Sequence, residues 1–140
     1  MTKELLFDGA TIDAAIQRIT DAIRADFDAE RLRNLALLGI QEGGVPLALR
    51  IAKRIQDATG VNVDVGTLDI TMYRDDFGTR PGLPMIRETS IPFDVNRRVI
   101  VLTDDVLQSG RSVRAALDAI NDYGRPALIR LAALIDRGLR

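Results

Sequence analysis

The residues with the most chemistry to offer fall in one stretch, 100–112, which reads IVLTDDVLQSGRS. Two adjacent carboxylates, Asp104 and Asp105, close an apolar run. Leu107, Gln108, Ser109 and Gly110 then lead into a helix expected to start at Arg111. A helix start offers unpaired N–H groups and a partial positive charge, which suits a phosphate. Gly110 allows close backbone approach, and Ser109 and Ser112 add hydroxyl donors. Arg111 stands at the helix end where a cation is disfavoured, a conflict that a bound anion relieves. Carboxylates repel phosphate, so Asp104 and Asp105 are expected to face ribose hydroxyls or a Mg²⁺ shell. By spacing alone, the stretch fits equally well a solvated strand-end turn in which Ser109 only caps the helix. Neither the Walker A pattern nor G-x-G-x-x-G is present.

Composition narrows the chemistry further. The chain has 140 residues with no Cys and no His. That removes disulfides, thiolate sites, the commonest general acid/base and every Ser-His triad. Catalysis must rely on carboxylates, backbone donors and Arg, with or without a bound cation. Nineteen basic against twenty acidic residues give a net charge of −1. This argues against nucleic-acid binding driven by bulk charge and leaves a local patch open. Lys occurs only at Lys3 and Lys53, so Arg, the better bidentate phosphate ligand, carries nearly all the positive charge. The length fits a single domain with a real core. No apolar run approaches about 18 residues and no signal-peptide pattern opens the chain, so a cytoplasmic location is expected.

These residues must be positioned by regular elements. Ile12, Ile16, Ile19, Ile23 and Phe27 recur at steps of three and four, predicting a helix over 11–27 with Thr11 as N-cap. A buried strand is expected over 34–40, a glycine turn at 41–44 and a second helix over 45–58. The alternation over 61–73 switches phase at Gly66, which predicts a bulge or bend in one long strand or two short ones. Residues 74–90 carry Gly78, Pro81, Gly82 and Pro84 without hydrophobic period and read as a long functional loop. A strand buried on both faces is expected over 98–103. A helix over 111–122, with Val113, Leu117 and Ile120 inward, and a buried strand over 127–135 complete the order. Apolar strands alternating with helices indicate an α/β fold with a mainly parallel, twisted sheet covered on both faces. In such sheets ligands bind beyond the carboxyl ends of the strands, where 100–112 would lie.

The 100–112 segment closely resembles the phosphoribosyl-diphosphate (PRPP) motif of type I phosphoribosyltransferases. Four further segments resemble the PyrR family: 68–76 (LDITMYRDD), 91–94 (IPFD), 124–126 (GRP) and 136–138 (DRG). That family comprises pyrimidine operon regulators with uracil phosphoribosyltransferase activity. The resemblance runs over nearly the whole chain. It implies that Asp104 and Asp105 hold the ribose hydroxyls of PRPP or UMP, and that 107–112 cradle the 5′-phosphate. Gln41, Glu42, Gly43 and Gly44 would form the diphosphate loop, with Asp136 and Arg137 beside the uracil site. Residues 73–87 would close as a lid, with Arg74 among the catalytic groups, and Mg²⁺ would accompany PRPP. Attenuation of pyr leader mRNA would use a basic patch, with Arg18, Arg137 and Arg140 as its first candidates and Arg24, Arg125 and Arg130 beside them. A homodimer or homotetramer is implied as well.

The sequence also departs from the family pattern. The diphosphate loop usually presents Thr-Arg where this chain has Glu42-Gly43. The usual Asp-Arg-Gly-His ends here in Leu139, and Asp21 stands near the position of a first-helix His. Family members continue past the equivalent of Arg140 into a hood over the base, so the chain reads as a single domain over 1–140, truncated before that hood. The alternative to an active enzyme and attenuator is a catalytically weakened PRPP/UMP-binding sensor without RNA binding.

Overall fold

The structure, a computed structural model, describes residues 9–41, 43–71, 89–107 and 110–136. Helix α1 (Gly9–Asp26) leads through a short helix α2 (Ala29–Arg33) into strand β1 (Leu35–Ile40). Helix α3 (Gly44–Thr59), strand β2 (Asp64–Leu68), strand β3 (Val99–Leu107), helix α4 (Gly110–Asn121) and strand β4 (Leu128–Asp136) follow. The strands form one parallel sheet in the order β2-β1-β3-β4. Among the described residues no helix is long and apolar enough to cross a membrane.

Strand alternation sorts the core into two layers. Leu35 and Leu37 of β1 and Val99 and Val101 of β3 pack under α1 and α3, against Ile16, Ile23, Ile51 and Ile55. Ala36 and Leu38 of β1 and Ile100 and Leu102 of β3 pack under α4, against Ala116 and Ile120. The chain therefore leaves β1 toward one face through α3 and leaves β3 toward the other through α4. Loops that diverge in this way open a crevice at the carboxyl ends of two adjacent strands.

Several sequence expectations need correction. Helix α1 is already helical at Gly9, so Thr11 lies inside it and is not the N-cap. The short helix α2 was not legible in advance; its N-cap is Asp28, whose carboxylate accepts from the Arg31 N–H at 2.9 Å. No bulge interrupts β2, whose register against β1 is regular from Asp64 to Leu68. The phase switch has a different cause. Val63 and Val65 feed the α1/α3 layer, whereas Leu68 and Ile70 feed the α4 layer. Gly66 instead makes room for a neighbouring segment, because a Cβ there would lie 2.9 Å from the Ser90 carbonyl oxygen. Ser90 forms an antiparallel bridge with Thr67, so the expected 74–90 loop already ends against the sheet edge. In α4 the buried face is Ala115, Ala116, Ala119 and Ile120, and Leu117 is exposed. Strand β4 is an edge strand with half-exposed residues, so it is not buried on both faces. Finally, β3 runs on to Leu107 and carries both acids inside the strand.

Candidate active site

That last difference creates the site. Pairing between β1 and β3 stops at Gly39–Thr103, while β3 and β4 stay paired through Leu107–Asp136. Beyond Thr103, β3 has β4 on one side only. The turn into α3 occupies the other side. A Cβ on Gly39 would lie 2.6 Å from the Val45 Cα, so α3 begins directly over the end of β1. A Cβ on Gly44 would collide with the Thr103 carbonyl oxygen, and one on Gly43 would fall on the Asp105 carboxylate. Gly44 is thus required by close backbone approach to β3, whereas a side chain at 43 would need the Asp105 carboxylate to move.

Neighbouring strands pin the turn at both ends. The Gln41 N–H donates to the Leu68 carbonyl at 2.8 Å. The Thr103 hydroxyl, fully buried, donates to the Gly44 carbonyl at 2.7 Å. Between these pins the N-terminus of α3 presents backbone N–H groups and the positive end of its dipole.

Strand alternation sends the two acids to opposite faces. Asp105 shares the α3 side with Val101 and Thr103 and is exposed beside Gly43. Asp104 shares the α4 side with Ile100 and Leu102 and is half-buried. The pair therefore lies between two helix starts, Gly44 of α3 and Gly110 of α4. Leu107 ends β3, Arg111 and Ser112 occupy the first turn of α4, and Asp136 ends β4 in register with Leu107. Of the sequence-predicted site, Gln41, Gly43, Gly44, Asp104, Asp105, Leu107, Gly110, Arg111, Ser112 and Asp136 thus all come to one edge of the sheet. Glu42, the expected lid over 73–87 with Arg74, Gln108, Ser109, Arg137 and Arg140 lie outside the described residues.

Among the described residues the basic candidates lie in more than one part of the fold. Arg18 is exposed on α1, and Arg130 on β4 stands 4.0 Å from Asp26. Arg125 lies at the opposite edge of the sheet, where its N–H donates to the Asn96 side chain at 2.8 Å.

Sequence reasoning missed two contributors. Thr103 was visible as the one hydroxyl ending an apolar run. Asp69 is buried just past β2 and accepts from the Thr71 N–H at 2.9 Å and the Thr71 hydroxyl at 2.6 Å. This turn launches the chain into 72–88, and the Asp-x-Thr spacing was its only signal.

With this geometry in place, known proteins offer a comparison. The phosphoribosyl transferase domain family matches residues 5–140. The chain is 50% identical over 143 residues to the bifunctional protein PyrR of Roseiflexus sp. (strain RS-1), covering 100% of this chain and 75% of that protein. It is 59% identical over 107 residues to the bifunctional protein PyrR of Pelotomaculum thermopropionicum, covering 76% of this chain and 59% of that protein. Among solved structures it is similar to the HGPRT-ase of Leishmania tarentolae in complex with GMP. The TM-score is 0.67 at 20% identity, over 92% of this chain and 68% of that one.

Proposed function

The chain belongs to the phosphoribosyl transferase domain family, among the bifunctional PyrR proteins, and on that premise we propose that it binds PRPP and UMP at the β3 edge. There it converts uracil and PRPP to UMP and diphosphate. One observation carries the reading: two helix starts and two carboxylates converge where β3 outruns β1. Helix starts suit the two anionic ends of PRPP, and carboxylates suit the hydroxyls between them.

In this reading the first turn of α3 holds the diphosphate and the first turn of α4 holds the 5′-phosphate. Asp104 and Asp105, one from each face of β3, accept hydrogen bonds from the ribose hydroxyls. The sugar is thus fixed with its anomeric carbon toward the base. The bond from that carbon to the diphosphate oxygen breaks, the bond to uracil N1 forms, and the N1 proton is released. Positioning and charge stabilisation supply the rate, which is consistent with a chain that has no His. Closure of 73–87, with Arg74, would exclude water and add positive charge.

Mg²⁺ suits this donor set. Among the described residues no group of three or more potential ligand side chains gathers into a preformed cage. Mg²⁺ commonly binds through one or two carboxylates together with substrate phosphates, which Asp104, Asp105 and the diphosphate would provide. Bound there, it would neutralise charge on the leaving group.

The regulatory half of the reading is UMP-dependent attenuation of pyr leader mRNA in the cytoplasm, by a homodimer or homotetramer. Arg18, Arg137 and Arg140 are its proposed RNA contacts. A second reading, a catalytically weakened PRPP/UMP-binding sensor without RNA binding, draws support from Gly43. The Asp105 carboxylate lies where a side chain at 43 would begin, so an arginine there would require Asp105 to move.

Uracil-dependent consumption of PRPP, with UMP as product, tests the enzyme. Turnover supports the first reading. UMP binding with no turnover leaves the sensor. Gel shifts with pyr leader RNA against scrambled RNA across a salt series test the regulatory half, and specific binding that persists at moderate salt supports it.

A further inference from the structure

The start of α3 has no side-chain cap of its own. Gly43 is the N-cap of α3, with φ −69°, ψ −27° and no side-chain cap hydrogen bond. The residue types that usually fix a helix start are Ser, Thr, Asp and Asn, whose side chains bond the first free N–H groups. Here a residue from another strand contributes instead. Thr103 is fully buried at the end of the run Val99–Leu102, in the layer under α3. A buried hydroxyl is costly unless it is bonded, and valine has nearly the same shape without that cost. What the hydroxyl gains is its 2.7 Å bond to the Gly44 carbonyl. The same two residues meet backbone to backbone, since a Cβ on Gly44 would strike the Thr103 carbonyl oxygen. One residue later on β3 comes Asp104, and two later Asp105, against Gly43.

We infer that Thr103 is a positioning residue for the diphosphate turn, fixing the first N–H groups of α3 relative to the carboxylates of β3. The inference rests on the reading of that turn as the diphosphate cradle. It gives Thr103 no contact with substrate. Loss of the hydroxyl would leave the fold in place and let the turn drift, so the cost would fall on ligands that use the turn. PRPP and inorganic diphosphate do so, whereas UMP, which carries only the 5′-phosphate, does not.

The experiment compares wild type, Thr103→Val and Thr103→Ser by calorimetric titration with Mg²⁺-PRPP, Mg²⁺-diphosphate and UMP, alongside amide exchange at residues 43–45. Thr103→Val is expected to weaken PRPP and diphosphate roughly 3- to 10-fold, the value of one hydrogen bond, with UMP changed by less than about twofold. Thr103→Ser, which keeps the hydroxyl, is expected to restore PRPP and diphosphate affinity to within about twofold. The amides at 43–45 should exchange faster in Thr103→Val and not in Thr103→Ser. Unchanged PRPP and diphosphate affinity in Thr103→Val overturns the inference, as does an equal loss for UMP or failure of serine to rescue. A wild-type protein that binds neither PRPP nor diphosphate overturns the functional reading instead. The exchange rates then still decide whether Thr103 holds the turn, an unchanged rate in Thr103→Val counting against it.

Discussion

The two edges of the sheet are built on opposite plans. At the amino edge, side chains bind the elements together. Arg98 donates from Nε to the Asn34 carbonyl at 2.9 Å and from one terminal nitrogen to the Leu35 carbonyl at 2.9 Å. Its other terminal nitrogen reaches Asp64 at 3.1 Å, and the guanidinium lies 5.1 Å above the Phe93 ring. Asn34 returns a bond to the Arg97 carbonyl at 2.7 Å. The Arg97 N–H donates to the Arg125 carbonyl at 2.9 Å, so bonds on both sides hold Arg97 in its left-handed conformation at φ 65°. At the carboxyl edge, side-chain volume is stripped away. Among the described residues Gly39 and Gly44 allow close backbone approach, Gly43 gives the start of α3 no side-chain cap, and Thr103 and Asp105 meet the turn from β3. Side-chain cross-links mark the edge where no ligand is expected, and close backbone approach marks the edge where one is.

The largest effect should come from the carboxyl edge. Asp104→Asn combined with Asp105→Asn removes two charge-assisted acceptors, each worth about 1.5–3 kcal/mol to a bound hydroxyl. UMP affinity should fall by roughly two orders of magnitude or more, while the unfolding free energy shifts by less than about 1 kcal/mol. Titration calorimetry and a denaturant melt on the same preparation check both halves. Retained UMP affinity would remove these carboxylates from the site and with them the division of labour between the edges.

The amino edge should show the reverse pattern. Arg98→Met keeps much of the apolar stem and deletes the donors to two main-chain carbonyls. The expected cost is about 2 kcal/mol of unfolding free energy, with UMP affinity within about twofold of wild type. A loss of affinity without a loss of stability would show that the amino edge communicates with the site.

This division explains what the sequence could reveal. The two-layer core was legible because the continuous apolar runs of β1 and β3, which mark strands buried on both faces, and the helical spacing in α1 are local patterns. Asp104, Asp105 and the helix start after them were legible for the same reason, as contiguous chemistry. The extension of β3 through its acids was not. It depends on β4 pairing with β3 beyond the end of β1, a tertiary event with no local signal. Gly43 and Gly44 read as turn glycines, but the need for glycine at 44 comes from the Thr103 main chain, some sixty residues away in the chain. Arg98 read only as the residue before an apolar run, since its bonds go to carbonyls, which every residue has. The phase switch at Gly66 misled because alternation reports a face and not which layer covers it.

The smallest effect distinguishes two ways the amino edge could be held. Arg98 pairs with Asp64, and an ion pair is the more conspicuous contact. Yet the Asp64 side chain is 55% exposed while that of Arg98 is 16% exposed. Solvent screens the carboxylate, so the pair should contribute no more than about 0.5–1 kcal/mol, and less in salt. Of the two carbonyl bonds, the one to Leu35 is part-buried, and together they should carry most of the Arg98 contribution. Asp64→Asn should therefore cost under about 1 kcal/mol, fading between low and high salt, whereas the Arg98→Met loss should persist. A double-mutant cycle isolates the pair, with a coupling expected near 0.5 kcal/mol. If Asp64→Asn instead costs as much as Arg98→Met, the ion pair and not the main chain closes this edge. The edge would then depend on ionic strength, which the carbonyl bonds would not require.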